Sequence, residues 1–519
     1  MLSRQSVGRH AQRALRRQCA QPAGRRGLAA PASGSFQYQT GDHSGVKFAS
    51  RDLAGPTTTL ALVSKAGTRY QPLPGLTEAL EKFAFKSTNR RSALRIVRES
   101  ELLGAELLPY HSRENLVLAT KFLRDDLPYY VELLAEAATQ TKFPSHTLHE
   151  EVIPLIQMAH KKGLANTSEL ALNSVHGLAF HRGLGAPIVP TSSAGYYKYL
   201  EPETVAEFAA QAYAKPNFAI VANGAEHGEL TKWVGEFFSG VSTTKALETP
   251  QTKYYGGEER IAHAGKNTIV IGFPGSSSYT GGFYKPEIAI LGSLLGGQSQ
   301  IKWTSGFSLL SKASEKFPGA KVDTKSLIYS DAGLLTITIS GAAKDVSGAA
   351  AEAVKTVQEI ASGNIKSEDI QKAKARAKYL ELEHGQNIFG SLELTGAGLA
   401  QSGKPYQLDE TAKAIDGVSE EAVKKAAAEL LESRASVSTV GDLFALPFAE
   451  ELGLKVYNRY LAIASRVVRR SLKEEPRLAA SRRGESDLRF AKWENGKQGE
   501  PKSLNSANQA ATEAAAKEA

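Results

Sequence analysis

GLTEALEKFAFKST, residues 75–88, is the stretch on which the reading of this chain turns. Read as a helix, it sets Glu78 and Lys82 four residues apart, with Glu81 between them. On an exposed helix such an i,i+4 pair, acid first, stabilises by about 0.2–0.5 kcal/mol. No histidine stands in the segment. The chain's eleven histidines include no two that are four residues apart. His146 and His149 are three apart in PSHTLHEE, which reads more simply as a solvated helix start than as a metal pair.

Outward from this helix the chain repeats itself at a spacing of about 217 residues. ENLVLATKFLRDDLPYYVELLAEAATQ (114–140) parallels AGLLTITISGAAKDVSGAAAEAVKTVQEIAS (332–362). Each gives a strand-like run, a short polar break and a helix. A further helix follows in each half, TLHEEVIPLIQMAHKK and SEDIQKAKARAKYLELE. The halves open on TTTLALVSKAG (57–67) and NTIVIGFPG (267–275), and close on NFAIVANG (217–224) and ASVSTVGD (435–442). Val117, Ala119 and Lys121 alternate with Leu118, Thr120 and Phe122. Leu335, Ile337 and Ile339 share a face between Thr336 and Thr338. Ala350, Val354, Val357 and Ile360 keep helical spacing. Strands with interspersed helix pairs predict an α+β layer fold. The polar, turn-rich SGVSTTKALETPQTKYYGG (239–257) reads as the linker.

The 75–88 helix resembles the zinc-motif helix of the pitrilysin-type (M16) metallopeptidases. In the active family that helix carries H-x-x-E-H, two histidines on zinc and a glutamate that activates water. By this resemblance the motif positions are Glu78, Glu81 and Lys82. The downstream helix HEEVIPLIQMAH puts Gln157 where the third ligand, a glutamate, belongs. A lysine there would have to lose its proton, at a cost of about 4–5 kcal/mol at neutral pH. Left protonated, it repels a dication ~4 Å away by roughly 8 kcal/mol at an effective dielectric of ~20. The resemblance therefore implies two homologous M16-like domains, each an antiparallel sheet packed with helices, with no catalytic, cofactor or metal site.

YYKYLEPETVAEFAAQAYAKPNFAIVANG extends that resemblance over roughly residues 36–450. LGGQSQIKW, YSDAGLLTITIS and VGDLFALPFAEEL are similar to the core protein 2 branch of the family, subunits of the mitochondrial cytochrome bc1 complex (complex III, ubiquinol–cytochrome c reductase). The non-catalytic α subunits of the mitochondrial processing peptidase form a rival branch, marked by a long polyglycine loop. The comparable GSLLGGQSQIKWTSG (292–306) has one glycine pair, Gly296–Gly297, which favours the core-protein branch. Gly183 and Gly185 make a GxG followed by proline, not a phosphate-capping helix.

The 519 residues, 42% hydrophobic, suffice for two to four domains, and no apolar run approaches a membrane span. The net charge of +9 is concentrated at the ends. Residues 1–35 hold seven arginines and no acid, residues 451–519 are net +5, and residues 36–450 are net −3. A nucleic-acid role has no support in that distribution. Val7, Ala11, Ala14 and Leu15 oppose Arg9, Arg13, Arg16 and Arg17 on a helix, the pattern of a mitochondrial transit peptide (1–35), with cleavage expected after Arg25–Arg26. The single cysteine, Cys19, lies within it, so the processed chain would carry no thiol.

Composition shifts near residue 451. VYNRYLAIASRVVRRSLKEE (456–475) is a basic amphipathic helix pattern ended by Pro476, suited to a protein surface or a membrane. With RLAASRRGESDLRFAKWENGKQGEPKSL it resembles the epsilon subunit of mitochondrial F-type ATP synthase, without that subunit's usual tryptophan-containing start. NSANQAATEAAAKEA is alanine-rich and of low complexity.

The expected organisation is a transit peptide (1–35), M16-like domains (36–245 and 255–450) and an epsilon-like tail (451–519). The resemblance implies a non-catalytic core subunit peripheral to the mitochondrial inner membrane on the matrix side. Its partners would be core protein 1, cytochrome b, cytochrome c1 and the iron–sulfur subunit. The chain offers no haem or iron–sulfur ligand set of its own. The alternatives are a processing-peptidase α subunit, or a central-stalk component touching the ATP synthase gamma and delta subunits through 456–500.

Overall fold

A computed structural model describes residues 37–53, 55–188, 199–298, 306 and 308–456. The transit-peptide segment, the tail from residue 457 and residues 299–305 of the glycine-pair loop lie outside the described residues.

In the first half the order is β1 (Gln39–His43), β2 (Val46–Arg51), β3 (Thr57–Ser64), α1 (Leu76–Phe83), α2 (Ala93–Leu102), β4 (Glu106–His111), β5 (Leu116–Leu123) and α3 (Leu127–Thr139). A π-turn, Leu148–Val152, then leads into α4 (Ile153–Ala165). α5 (Thr167–Phe180), α6 (Pro202–Ala212), β6 (Phe218–Asn223) and α7 (His227–Phe237) complete it. The second half gives β7 (Gly257–Ala262), β8 (Asn267–Pro274), α8 (Pro286–Leu295), α9 (Leu309–Ser314), β9 (Ala320–Ile328), β10 (Gly333–Gly341) and α10 (Ala343–Ala361). It continues through α11 (Ser367–Gln386), α12 (Ile388–Ser402), α13 (Leu408–Asp416) and α14 (Glu420–Glu432) to β11 (Ser436–Gly441).

The two sheets share one topology. The first runs β1-β2-β6-β3-β5-β4 and the second β7-β11-β8-β10-β9, so the first differs only by the β1 hairpin strand. The openings and closings read from sequence become β3 and β8, and β6 and β11. The sheets are mixed rather than purely antiparallel. The closing strand inserts between two strands of its half, antiparallel to the opening strand (β6 on β3, β11 on β8) and parallel to the strand before it, β6 on β2 and β11 on β7. All other pairings are antiparallel. Pro109 sits in β4, an edge strand bonded only to β5, where a missing donor costs no ladder bond.

Each sheet is buried on both faces. Leu60, Leu62, Leu116, Leu118, Phe122 and Ile220 point into the helices of their own half. Ala61, Val63, Val117, Ala119, Ala219 and Val221 point the other way and meet Leu392, Leu399 and Ala400 of α12, from the second half. The second sheet mirrors this arrangement. Ile271, Leu335, Ile337 and Ile339 face α10 and its neighbours. Val270, Leu334 and Val440 are covered by Ala171, Val175, Ala179 and Phe180 of α5, from the first half. The alternation along β5 is therefore apolar on both phases, because neither face meets water.

Two glycines permit these crossed contacts. A Cβ at Gly396 of α12 would lie 2.4 Å from Cγ2 of Val63, and one at Gly272 of β8 would lie 2.7 Å from Cγ1 of Val175. A buried ion cluster adds a polar clasp. Arg69 is bidentate to Asp331 at 2.7 and 2.8 Å and donates to Glu114 at 2.7 Å. Glu114 also accepts from the backbone N–H and hydroxyl of Ser330, and Asp331 from those of Thr252 in the linker. The clasp thus joins the first half, the linker and the second half through groups whose donors and acceptors are matched.

Candidate functional site

α1 begins after Gly75, which is left-handed at φ 94. Leu76, Ala79, Leu80 and Phe83 enter the first-half core and fix the rotation of the helix. That rotation turns Glu78 inward. It is 2% exposed, and its Oε2 has no hydrogen-bond partner. Burial pushes its carboxyl up to about 7, against the opposing pull of His111 and Lys82. The i,i+4 pair expected between Glu78 and Lys82 on an exposed helix is therefore corrected: Lys82 Nζ turns to its neighbour Glu81, at 2.5 Å. The reason is packing, since the apolar stripe of α1 carries position 78 into the core.

Glu81 is the centre of the site. Besides Lys82 it binds Nδ1 of His111, at the end of β4. Nε2 of that imidazole contacts the carbonyl oxygen of Ile188 at 3.0 Å. A carboxylate on one ring nitrogen and a carbonyl on the other both need a donor, so the geometry calls for the imidazolium. Burial disfavours that charge, but the hydrogen bond and charge of Glu81 outweigh it and hold His111 above its ordinary value. Glu81 is correspondingly depressed: burial opposes its ionisation, and His111 with Lys82 overcomes it.

Gln157 lies half-buried on α4, which packs against α1. The structure thus brings Glu78, Glu81 and Lys82 together on one helix and sets Gln157 on the adjoining one. His111 was missed in the sequence. It is thirty positions from Glu81, and no local spacing announces it; only the pairing of β4 with β5 and the packing of α1 on β4 make them neighbours. His146 and His149 flank the start of the π-turn. Among the described residues, no group of three or more His, Cys, Asp or Glu side chains is placed to hold a metal ion. A general base must be free to take a proton from water. Glu81 is held by two cations, and Glu78 is shut in the core.

This duplicated α+β scaffold, in a chain with no two histidines four residues apart, defines a class: the M16 peptidase fold without an H-x-x-E-H motif. Residues 47–192 match the family model for Insulinase (Peptidase family M16), and residues 199–377 match that for the Peptidase M16 inactive domain. The chain belongs to the M16 peptidase family. It is 50% identical over 459 residues to the mitochondrial cytochrome b-c1 complex subunit 2 of Neurospora crassa, covering 88% of this chain and all of that protein. It is 34% identical to the Schizosaccharomyces pombe protein of the same name, over 79% of this chain and 93% of that one. The mitochondrial-processing peptidase subunit alpha of Solanum tuberosum is 26% identical over 78% of this chain and 82% of its own length. Residues 456–496, within the 451–519 tail, match the model for the mitochondrial ATP synthase epsilon chain.

Proposed function

We propose that this chain is a non-catalytic core subunit of respiratory complex III, peripheral to the mitochondrial inner membrane on the matrix side. Its role is assembly and stability of the complex rather than peptide hydrolysis. One observation carries the reading: the Glu81 carboxylate is committed to His111 and Lys82 within the scaffold of a peptidase. Glu78, Lys82 and Gln157 stand at the zinc-ligand positions, and Glu81 at that of the water-activating acid. Similarity along the full length of a complex III subunit supports the assignment of the complex. Among the described residues, no helix is long and apolar enough to cross a membrane. Its partners are core protein 1, cytochrome b, cytochrome c1 and the iron–sulfur subunit. Permanent contacts of this kind commonly bury over ~2,000 Å². We divide the chain at 1–35, 36–245, 255–450 and 451–519.

The epsilon-chain match favours a second reading for the tail alone, contact with the ATP synthase gamma and delta subunits through 456–500. Native electrophoresis of solubilised mitochondria, probed separately for residues 37–456 and for the tail, separates these readings. Both probes on the complex III band support the first. Both on the ATP synthase band would overturn it, as would co-purification with a zinc-binding partner and loss of presequence cleavage on depletion.

A further inference from the structure

Beyond the end of α5 the chain runs as a strap, residues 183–188, toward the α1 site. The near end of the strap is fixed in three ways. Leu184 is buried in the apolar layer that covers the second sheet. A Cβ on Gly185 would sit 3.1 Å from the carbonyl oxygen of His176, so the strap lies flat on α5. Arg113 donates to the carbonyls of Leu184, at 3.1 Å, and of Ala186, while its other terminal nitrogen holds Asn173 of α5 at 2.6 Å. A guanidinium keeps its charge at any physiological pH. The far end is held differently. Among the described residues, the one hydrogen bond of Ile188 is the contact of its carbonyl with Nε2 of His111.

His111 can serve two oxygens only while both ring nitrogens carry protons. The charged groups that act on it come from α1: Glu81 on Nδ1, Glu78 nearby, and Lys82 beyond Glu81. α2 also packs on β4, but its Glu99 is engaged by Arg91 and Arg95, and its Arg98 and Glu101 are exposed. Leu116 of β5, opposite His111 in the ladder, is apolar. When one proton leaves, the remaining one stays on Nδ1, because a charge-assisted bond to a carboxylate outranks a bond to a carbonyl. Nε2 then turns a lone pair on the Ile188 carbonyl. Ionisation of Glu78 adds a second anion and moves this step to higher pH without reversing it.

We infer that His111 is a pH-sensitive latch: protonated, it ties the strap to α1; neutral, it lets go of Ile188 while Arg113 keeps the rest in place. The latch does not depend on which complex the chain joins.

The test is a nitroxide label on the full chain at Ile188→Cys, in a Cys19→Ser background; the exchange leaves the backbone carbonyl in place. Paramagnetic resonance spectra at about pH 6 and about pH 9, either side of the histidine range, give the ratio of mobile to restrained label. That ratio should rise about tenfold or more, the worth of a charge-assisted hydrogen bond. The same label at Leu102→Cys, an exposed site on α2, should show no step. His111→Gln should remove the step at position 188, and the parent series stands even where that variant folds poorly. Nitrogen NMR of the histidine-labelled chain should show both His111 ring nitrogens protonated at the lower pH and Nδ1 alone at the higher. An unchanged ratio, a step shared by position 102 or kept in His111→Gln, or a last proton retained on Nε2 would each overturn the inference.

Discussion

Replacing Glu78 by glutamine should make the protein more stable at alkaline pH. In the folded chain burial raises this carboxyl from the ordinary 4.5 to about 7. Over that window the native state keeps a proton that the unfolded chain has released. Stability therefore falls as pH rises from about 4.5, and levels off above about 7. At about 1.36 kcal/mol per pH unit the cost approaches about 3 kcal/mol, the attraction of nearby Lys82 and His111 for the anion being already contained in the raised value. Glutamine cannot ionise, so Glu78→Gln removes this slope while filling the same space. Denaturant unfolding of both chains at a series of pH values gives the difference curve. The variant should gain about 2–3 kcal/mol relative to the parent between pH 5 and pH 8. Any constant cost of the amide shifts that curve without changing its slope. A difference that stays flat from pH 5 to 8 would show that Glu78 is solvated or paired, and the account of the α1 site would fall with it.

Other perturbations probe the remaining links. His111→Gln removes a cation whose folded value is raised, so its stabilisation is full below about pH 6.5 and is lost as pH rises through the raised value. The variant's deficit, about 3 kcal/mol at pH 6, should shrink at alkaline pH in the same unfolding assay; a constant deficit would refute the imidazolium. Arg69→Met leaves Glu114 and Asp331 without their cation and should cost about 3–5 kcal/mol in thermal or denaturant unfolding. A cost below 1 kcal/mol would show that the clasp is not energetically coupled. Gly396→Val drives a side chain into Val63 and should cost about 1–3 kcal/mol or more. Val63→Ala in the same chain should recover part of that loss, and strict additivity in the double-mutant cycle would refute the close approach.

The sequence disclosed the fold through its repeat. Strand pairs such as 57–64 with 116–123, and 267–274 with 333–341, carry β-branched alternation strong enough to place them without partners in view. The parallel pairs were not legible, because nothing in NFAIVANG states which strand lies on its far side. Nor was the double burial of each sheet, since the covering helices α5 and α12 come from the opposite half. At the site the pairing read from the helix was not the one formed. Helical spacing favours Glu78–Lys82 over the adjacent Glu81–Lys82, and only the rotation of α1, which takes Glu78 into the core, leaves Lys82 to Glu81. His111 was invisible because its relation to Glu81 is purely tertiary.

The exchange of α5 and α12 imposes an order on the making of this protein. When synthesis has reached the linker, the sheet of residues 39–223 still shows a bare apolar plane of Ala61, Val63, Val117 and Val221. The helix that closes it begins at Ile388, over 130 residues later. Until then the nascent chain carries an unfinished wall open to other hydrophobic surfaces. A chain interrupted anywhere between the linker and α12 would therefore be adhesive rather than half-functional. Cutting the protein into two separately expressed pieces would succeed only if both were present together, each finishing the other.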